Sequence, residues 1–208
     1  MAAIIPGAMA KSFRVLLAAG LFLAGTVGTS LATPVEWATS AGGNGHSYEV
    51  VLSTLSWADA KVAAENAAAS TAGADVSYLA TITSAQEQRF VASLVAGYGA
   101  ETGDAGFKLG GFQPADAVEP GGGWQWVTGE TWGYTNWGSG EPNNAGNEGY
   151  LYMDERYGWG WNDYTSSDNY YQPKAYIVEY APVPEPATLL LLGLGLLGLA
   201  GTRRKLNK

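Results

Sequence analysis

The chain has 208 residues, the length of one domain or of one domain with tails, and a formal net charge of −8. Residues 33–182 hold 18 acidic against 5 basic side chains, −13 in all, which excludes nucleic acid as a partner and leaves cations as a ligand class. The 8 Trp and 12 Tyr all lie in that middle stretch and exclude disorder, while the absence of cysteine excludes disulfides, zinc–thiolate sites and thiol catalysis.

Residues 1–32 read as a secretory signal. Lys11 and Arg14 precede an apolar run over 15–24, and Ser30-Leu31-Ala32 fits the small-x-small rule, placing cleavage after Ala32. Residues 48–52 alternate and are β-branched enough for a strand. Ser56 then caps an alanine-rich helix over 57–69. A short strand is predicted over 78–83. Ser84-Ala85-Gln86-Glu87 has the form of a capping box, and Phe90, Val91, Leu94 and Val95 behind it share one helical face. Residues 107–112 form another predicted strand. From Pro114 onward the chain is rich in Gly, Trp and Asn, with strand-like pieces at 124–127, 150–153 and 175–180. Residues 128–149 are too many for a plain connection, and long ordered loops in compact domains are usually functional. The expected fold class is α+β, two helices flanking antiparallel sheets beside a long loop region, over residues 33–182.

The end of the chain changes character again. Val183-Pro184-Glu185-Pro186 is followed by an apolar run over 189–201, short for a bilayer span, and then by Arg203-Arg204-Lys205. That order over 183–208 resembles the PEP-CTERM sorting signal of Gram-negative bacteria. The resemblance implies that Pro184, Glu185 and Pro186 are recognised by a membrane exosortase. It also implies a transmembrane helix that anchors the chain transiently in the inner membrane, with Arg203 and Arg204 on the cytoplasmic side. The processed domain would go to the outer surface or extracellular matrix.

The long loop carries Asn136-Trp137-Gly138-Ser139-Gly140-Glu141-Pro142-Asn143-Asn144, and Glu148 and Trp161-Asn162-Asp163 follow. A hard cation such as calcium takes ~6–8 oxygens from carboxylates, amides and backbone carbonyls. Glu141, Asn143, Glu148, Asn162 and Asp163 offer carboxylates and amides from two separated loops. Proline after Glu141 can adopt a cis bond that aims its neighbours one way. His46 reads as a polar turn residue. The tryptophans read as core, with Trp132 or Trp159 the ones placed to be exposed. Asp154 and Glu155, adjacent on a strand, would face opposite sides. With no Ser/His/Asp set, thiol or phosphate loop, an enzyme is not expected.

Taken together these motifs resemble the C-type lectin-like domain. Trp57-Ala58-Asp59-Ala60 is similar to its first helix, and Tyr78-Leu79-Ala80-Thr81-Ile82 to the approach to its second. Leu109-Gly110-Gly111 and Trp124-Gln125-Trp126-Val127 continue the pattern. Glu141-Pro142-Asn143 and Trp161-Asn162-Asp163 match its calcium and sugar signatures, and Ile177-Val178-Glu179 its closing strand. The resemblance implies that Glu141, Asn143, Glu148, Asn162 and Asp163 hold one calcium. Glu141, Asn143, Glu148 and Asn162 would also bind the hydroxyls of a mannose-, glucose- or fucose-type diol on a glycan or exopolysaccharide. It further implies that Ala64, Tyr150, Ser166 and Val178 stand where the family usually carries cysteine, and that Asp116 and Glu119 are the candidates for any auxiliary calcium. A calcium-independent interaction or matrix scaffold module on the same fold remains the alternative.

Overall fold

The computed structural model describes residues 33–71, 74, 76–98, 106–165 and 173–182. The expected secretory signal and the tail, with Pro184, Glu185, Pro186, Arg203 and Arg204, lie outside the described residues, as does Ser166. Among the described residues no helix is long and apolar enough to cross a membrane.

The first elements are strands β1 (Val35–Glu36) and β2 (Ser47–Leu52), then helix α1 (Trp57–Ala67). The Ser56 hydroxyl accepts the Asp59 N–H at 3.1 Å, which caps α1 as the sequence predicts. The helix ends two residues early and tightens into a 3-10 turn, Ala68–Ser70. Ala60 and Ala64 are fully buried, so the helix lies close on the sheet. Ala64 and Val178 join one apolar cluster with Leu79 and Tyr180. Ala64→Leu would overfill that seam and cost ~1–3 kcal/mol.

Strand β3 (Val76–Leu79) leads to helix α2 (Ala85–Val95). Only half of the predicted capping box forms. The Ser84 hydroxyl accepts the Glu87 N–H at 3.1 Å, but the Glu87 carboxylate does not return to Ser84. It accepts instead from the Thr83 N–H at 2.7 Å and from the Tyr48 hydroxyl at 2.5 Å. Val91 and Val95 then bury against the main core of Ile82, Phe107, Leu109 and Met153.

The remaining strands are β4 (Phe107–Phe112), β5 (Gln125–Trp126), β6 (Tyr150–Asp154), β7 (Gly160–Tyr164) and β8 (Ala175–Ala181). They form one eight-stranded sheet in the order β1-β2-β8-β4-β6-β7, with β3 on β8 and β5 on β4. Two expectations need correction. The sheet is mixed rather than antiparallel throughout, because β4 runs parallel to β8. Trp161, Asn162 and Asp163 lie in strand β7, not in a loop, paired to β6 from Tyr150↔Tyr164 to Asp154↔Gly160. Gly110 is required on β4, since a Cβ there would stand 2.4 Å from the Leu79 carbonyl oxygen.

Trp161 is fully buried and organises the aromatic core. Its ring meets Trp126, Tyr134 and Trp137 edge-on at 5.7, 5.6 and 5.8 Å, and its Nε1–H donates to Gln88 Oε1 at 2.8 Å. Trp132 packs on Trp126 at 4.5 Å, and Trp159 packs on Phe107 at 5.8 Å. Neither is a free platform. His46 is more than a turn residue, for its Nδ1 lies 2.6 Å from Glu179 Oε1.

Candidate functional site

The long loop is fastened to the outer edge of β7. The Trp161 N–H donates to the Asn136 carbonyl at 2.7 Å, and the Gly138 N–H to the Trp161 carbonyl at 2.8 Å. Two turns of chain later the loop is fastened again. Asp163, fully buried on β7, accepts the Asn143 N–H at 3.0 Å on Oδ1 and the Asn144 N–H at 2.7 Å on Oδ2. The peptide bond between Glu141 and Pro142 is cis. Asn144 sits at φ 51°, a left-handed conformation that Asn tolerates better than most residues, and its Oδ1 accepts the Glu148 N–H at 2.7 Å. Asn143 Oδ1 and Glu148 Oε2 share the Ala145 N–H at 2.7 and 2.9 Å. Asn143, Glu148 and Asp163 are thus gathered by a run of local hydrogen bonds, and Glu141 stands within electrostatic reach of Asp163.

Asn162 is not drawn in by these hydrogen bonds. The Tyr152–Tyr164 ring contact at 5.0 Å marks the face of β6 and β7 that Asn162 shares, whereas Asp163 shares its face with Trp161. The two side chains therefore leave the strand on opposite sides. Glu148 stands within electrostatic reach of Asp163 on one face and of Tyr152, the cross-strand partner of Asn162, on the other.

The electrostatics are those of crowded negative charge. Burial, reinforced by the Asp163 charge, pushes the Glu148 carboxyl up to about 7. Burial also raises Glu141, opposed by the Tyr157 hydroxyl and reinforced by Asp163. Oxygen accounting sharpens the point. Among the described residues five buried side-chain polar atoms have no hydrogen-bond partner, and two of them are Glu141 Oε2 and Asn162 Oδ1. Buried oxygens are almost always paired, and the two left over are a carboxylate and an amide oxygen, the donor types a hard cation takes. No three carboxylate or imidazole side chains among the described residues are already drawn together as a metal cage, and the donor set is mixed carboxylate and amide.

Two contributors were not anticipated from sequence. Asn144 holds the loop through both its backbone and its side chain, and the Tyr157 hydroxyl donates to Glu141 Oε1 at 2.5 Å. The signal for Asn144 was Asn after Pro-Asn, a residue suited to positive φ. Nothing in the spacing singled out Tyr157. Asp116 and Glu119 are both exposed. Asp154 is taken up by Arg156, whose Nε and Nη2 fork onto its carboxylate, and Glu155 opens a 3-10 turn beyond the strand.

Comparison with known proteins meets this geometry from two sides. Residues 182–205 match the PEP-CTERM protein-sorting motif. No curated protein sequence matches the chain. Among solved structures, CEL-IV is similar with a TM-score of 0.55 at 23% identity, covering 74% of this chain and 97% of that one. The C-type lectin CEL-I from Cucumaria echinata is similar with a TM-score of 0.51 at 23% identity, over 66% of this chain and 91% of that one. A calcium-dependent type II antifreeze protein, solved in its calcium-free form, gives 0.50 at 22% identity, over 66% and 94%. The chain therefore has the C-type lectin fold, two helices on one mixed sheet without cysteines, followed by a PEP-CTERM sorting motif.

Proposed function

We propose that residues 33–182 form a calcium-dependent carbohydrate-binding domain of an exported protein. Glu141, Asn143, Glu148, Asn162 and Asp163 would hold the ion. The observation that carries this reading is the pair of buried, unpartnered oxygens, Glu141 Oε2 and Asn162 Oδ1, on two of the five residues. A bound calcium would neutralise the carboxylates and offer open coordination positions to ligand hydroxyls. Around it, Glu141 can only accept hydrogen bonds, while Asn143 and Asn162 supply N–H donors, so a vicinal diol would meet complementary partners. The mannose-, glucose- or fucose-type class is the one we assign. The fold shared with the C-type lectin CEL-I supports the carbohydrate class. The 182–205 motif supports export, with Pro184, Glu185, Pro186, Arg203 and Arg204 serving exosortase sorting at the cell envelope. In this account residues 1–32 are the secretory signal and residues 183–208 the sorting tail.

One observation favours the alternative of a calcium-independent interaction or scaffold module. Both oxygens of Asp163 are already satisfied by loop N–H groups, so the loop has an anchor that needs no ion. A glycan array with and without chelator separates the two readings. Chelator-sensitive binding of mannose- or fucose-type glycans is expected. Binding that ignores chelator, or a blank array beside captured matrix protein, would favour the scaffold.

A further inference from the structure

Glu141 treats its two oxygens differently, and the reason lies outside the five expected ligands. Oε1 accepts the Tyr157 hydroxyl at 2.5 Å, whereas Oε2 is buried without a partner. Tyr157 is held in place for this from three directions. It ends the 3-10 turn Glu155–Tyr157, which is capped at its start by Asp154 accepting the Arg156 N–H at 2.8 Å and closed by Gly158 at φ 62°. The Arg156 guanidinium stands over the Tyr157 ring at 5.8 Å and is itself clamped to Asp154. The ring rests on Gly138, where a Cβ would lie 2.4 Å from the tyrosine Cγ. Gly138 in turn accepts the Glu141 N–H at 3.1 Å. One tight turn therefore seats the ring and presents the carboxylate its hydroxyl grips.

We propose that Tyr157 is a positioning residue of the cation site, fixing Glu141 so that Oε1 is committed to the phenol and Oε2 to the ion. This rests on the calcium reading of the loop. Without the phenol, a half-buried carboxylate crowded by Asp163 gains by rotating toward water, and the oxygen directed at the ion is lost with it. The grip holds Glu141 in its binding geometry before the ion arrives, and pre-organisation of this kind appears as affinity.

The test is a calcium titration of the full-length chain in detergent solution, read by the melting temperature. Tyr157→Phe keeps the ring on Gly138 and removes only the hydroxyl. It should shift the half-saturating calcium concentration upward about tenfold, the scale of one hydrogen bond to a charged group, while the melting temperature in chelator stays within about 2 °C of the parent. Gly138→Ala, which forces the ring off its seat, should shift the calcium midpoint in the same direction. A merely structural tyrosine would lower the chelator melting temperature and leave the calcium midpoint alone. If the parent responds to calcium and both variants respond at the same concentration, the role of Tyr157 is overturned while the calcium site stands. If the parent itself does not respond, both fall.

Discussion

Two acidic clusters sit in this domain, and they are built on opposite principles. Around β2, α2 and β8, Glu87 and Glu179 are both buried, joined through the Tyr48 hydroxyl at 2.5 and 3.2 Å. Every side of that cluster is closed by donors: Asn44 and Thr83 on Glu87, His46 and the Thr81 N–H on Glu179. Around β7, Glu141, Glu148 and Asp163 crowd one another with Asp163 alone fully satisfied, and the orphaned oxygens remain on Glu141 and Asn162. Both clusters gather carboxylates, and what separates them is the supply of donors. A cluster whose acceptors are all paired holds the fold together, whereas one that leaves acceptors over is suited to a ligand carrying positive charge.

Removing Glu179 should have the largest effect. Glu179→Ala strands the Thr81 N–H inside the core and takes the carboxylate from His46, while the Tyr48 hydroxyl keeps Glu87, and the expected loss is ~3 kcal/mol in urea denaturation. The calcium response of the surviving folded fraction should be unchanged. A smaller loss, below ~1 kcal/mol, would mean that the closed cluster is ornamental.

Within the open cluster the structure separates two residues that look equivalent in sequence. Asn162→Ala removes an unpaired acceptor, so stability in chelator should change by less than ~1 kcal/mol while the calcium-induced stabilisation disappears. Asp163→Ala also frees the Asn143 and Asn144 N–H groups and lets the loop go, at a cost of ~1–3 kcal/mol even in chelator. Equal chelator stabilities for the two variants would contradict the anchor role of Asp163.

The smallest effect is one of pH. The hydrogen bond to Glu179 holds the His46 pKa above its usual value, and Glu179 itself is raised, chiefly by burial. A histidine with a raised folded-state pKa contributes stability that is complete below about 6.5 and is lost as pH rises through the raised value. The raised Glu179 acts with the same sign. In saturating calcium, which keeps Glu141 and Glu148 ionised, the melting temperature should fall as pH climbs above about 6.5, and His46→Gln should flatten that slope. An unaltered slope would assign it to other groups.

Much of this was legible in sequence where local chemistry decides structure. Ser56 and Ser84 cap their helices, Phe107–Phe112 is a strand to the residue, and Asp163 meets the backbone of Asn143 and Asn144. What was not legible depends on partners distant along the chain. Glu87 has the spacing of a capping box, yet the Tyr48 hydroxyl draws it into the core. Asn162 and Asp163 are poor strand formers, and pairing with β6 overrides that preference, which hid both β7 and the opposite facing of the two side chains. Tyr157 acquires its place only because Gly138, nineteen positions earlier, leaves room for the ring.

Whether a cation completes the open cluster is decided by thermal melting of residues 33–182 at about pH 8, in chelator and in millimolar-range calcium. Calcium at about a hundred times its dissociation constant should add ~2.7 kcal/mol and raise the melting temperature by about 5–10 °C. Superimposable curves in the two conditions would show that Glu141 and Asn162 keep their unpaired oxygens for some reason other than calcium.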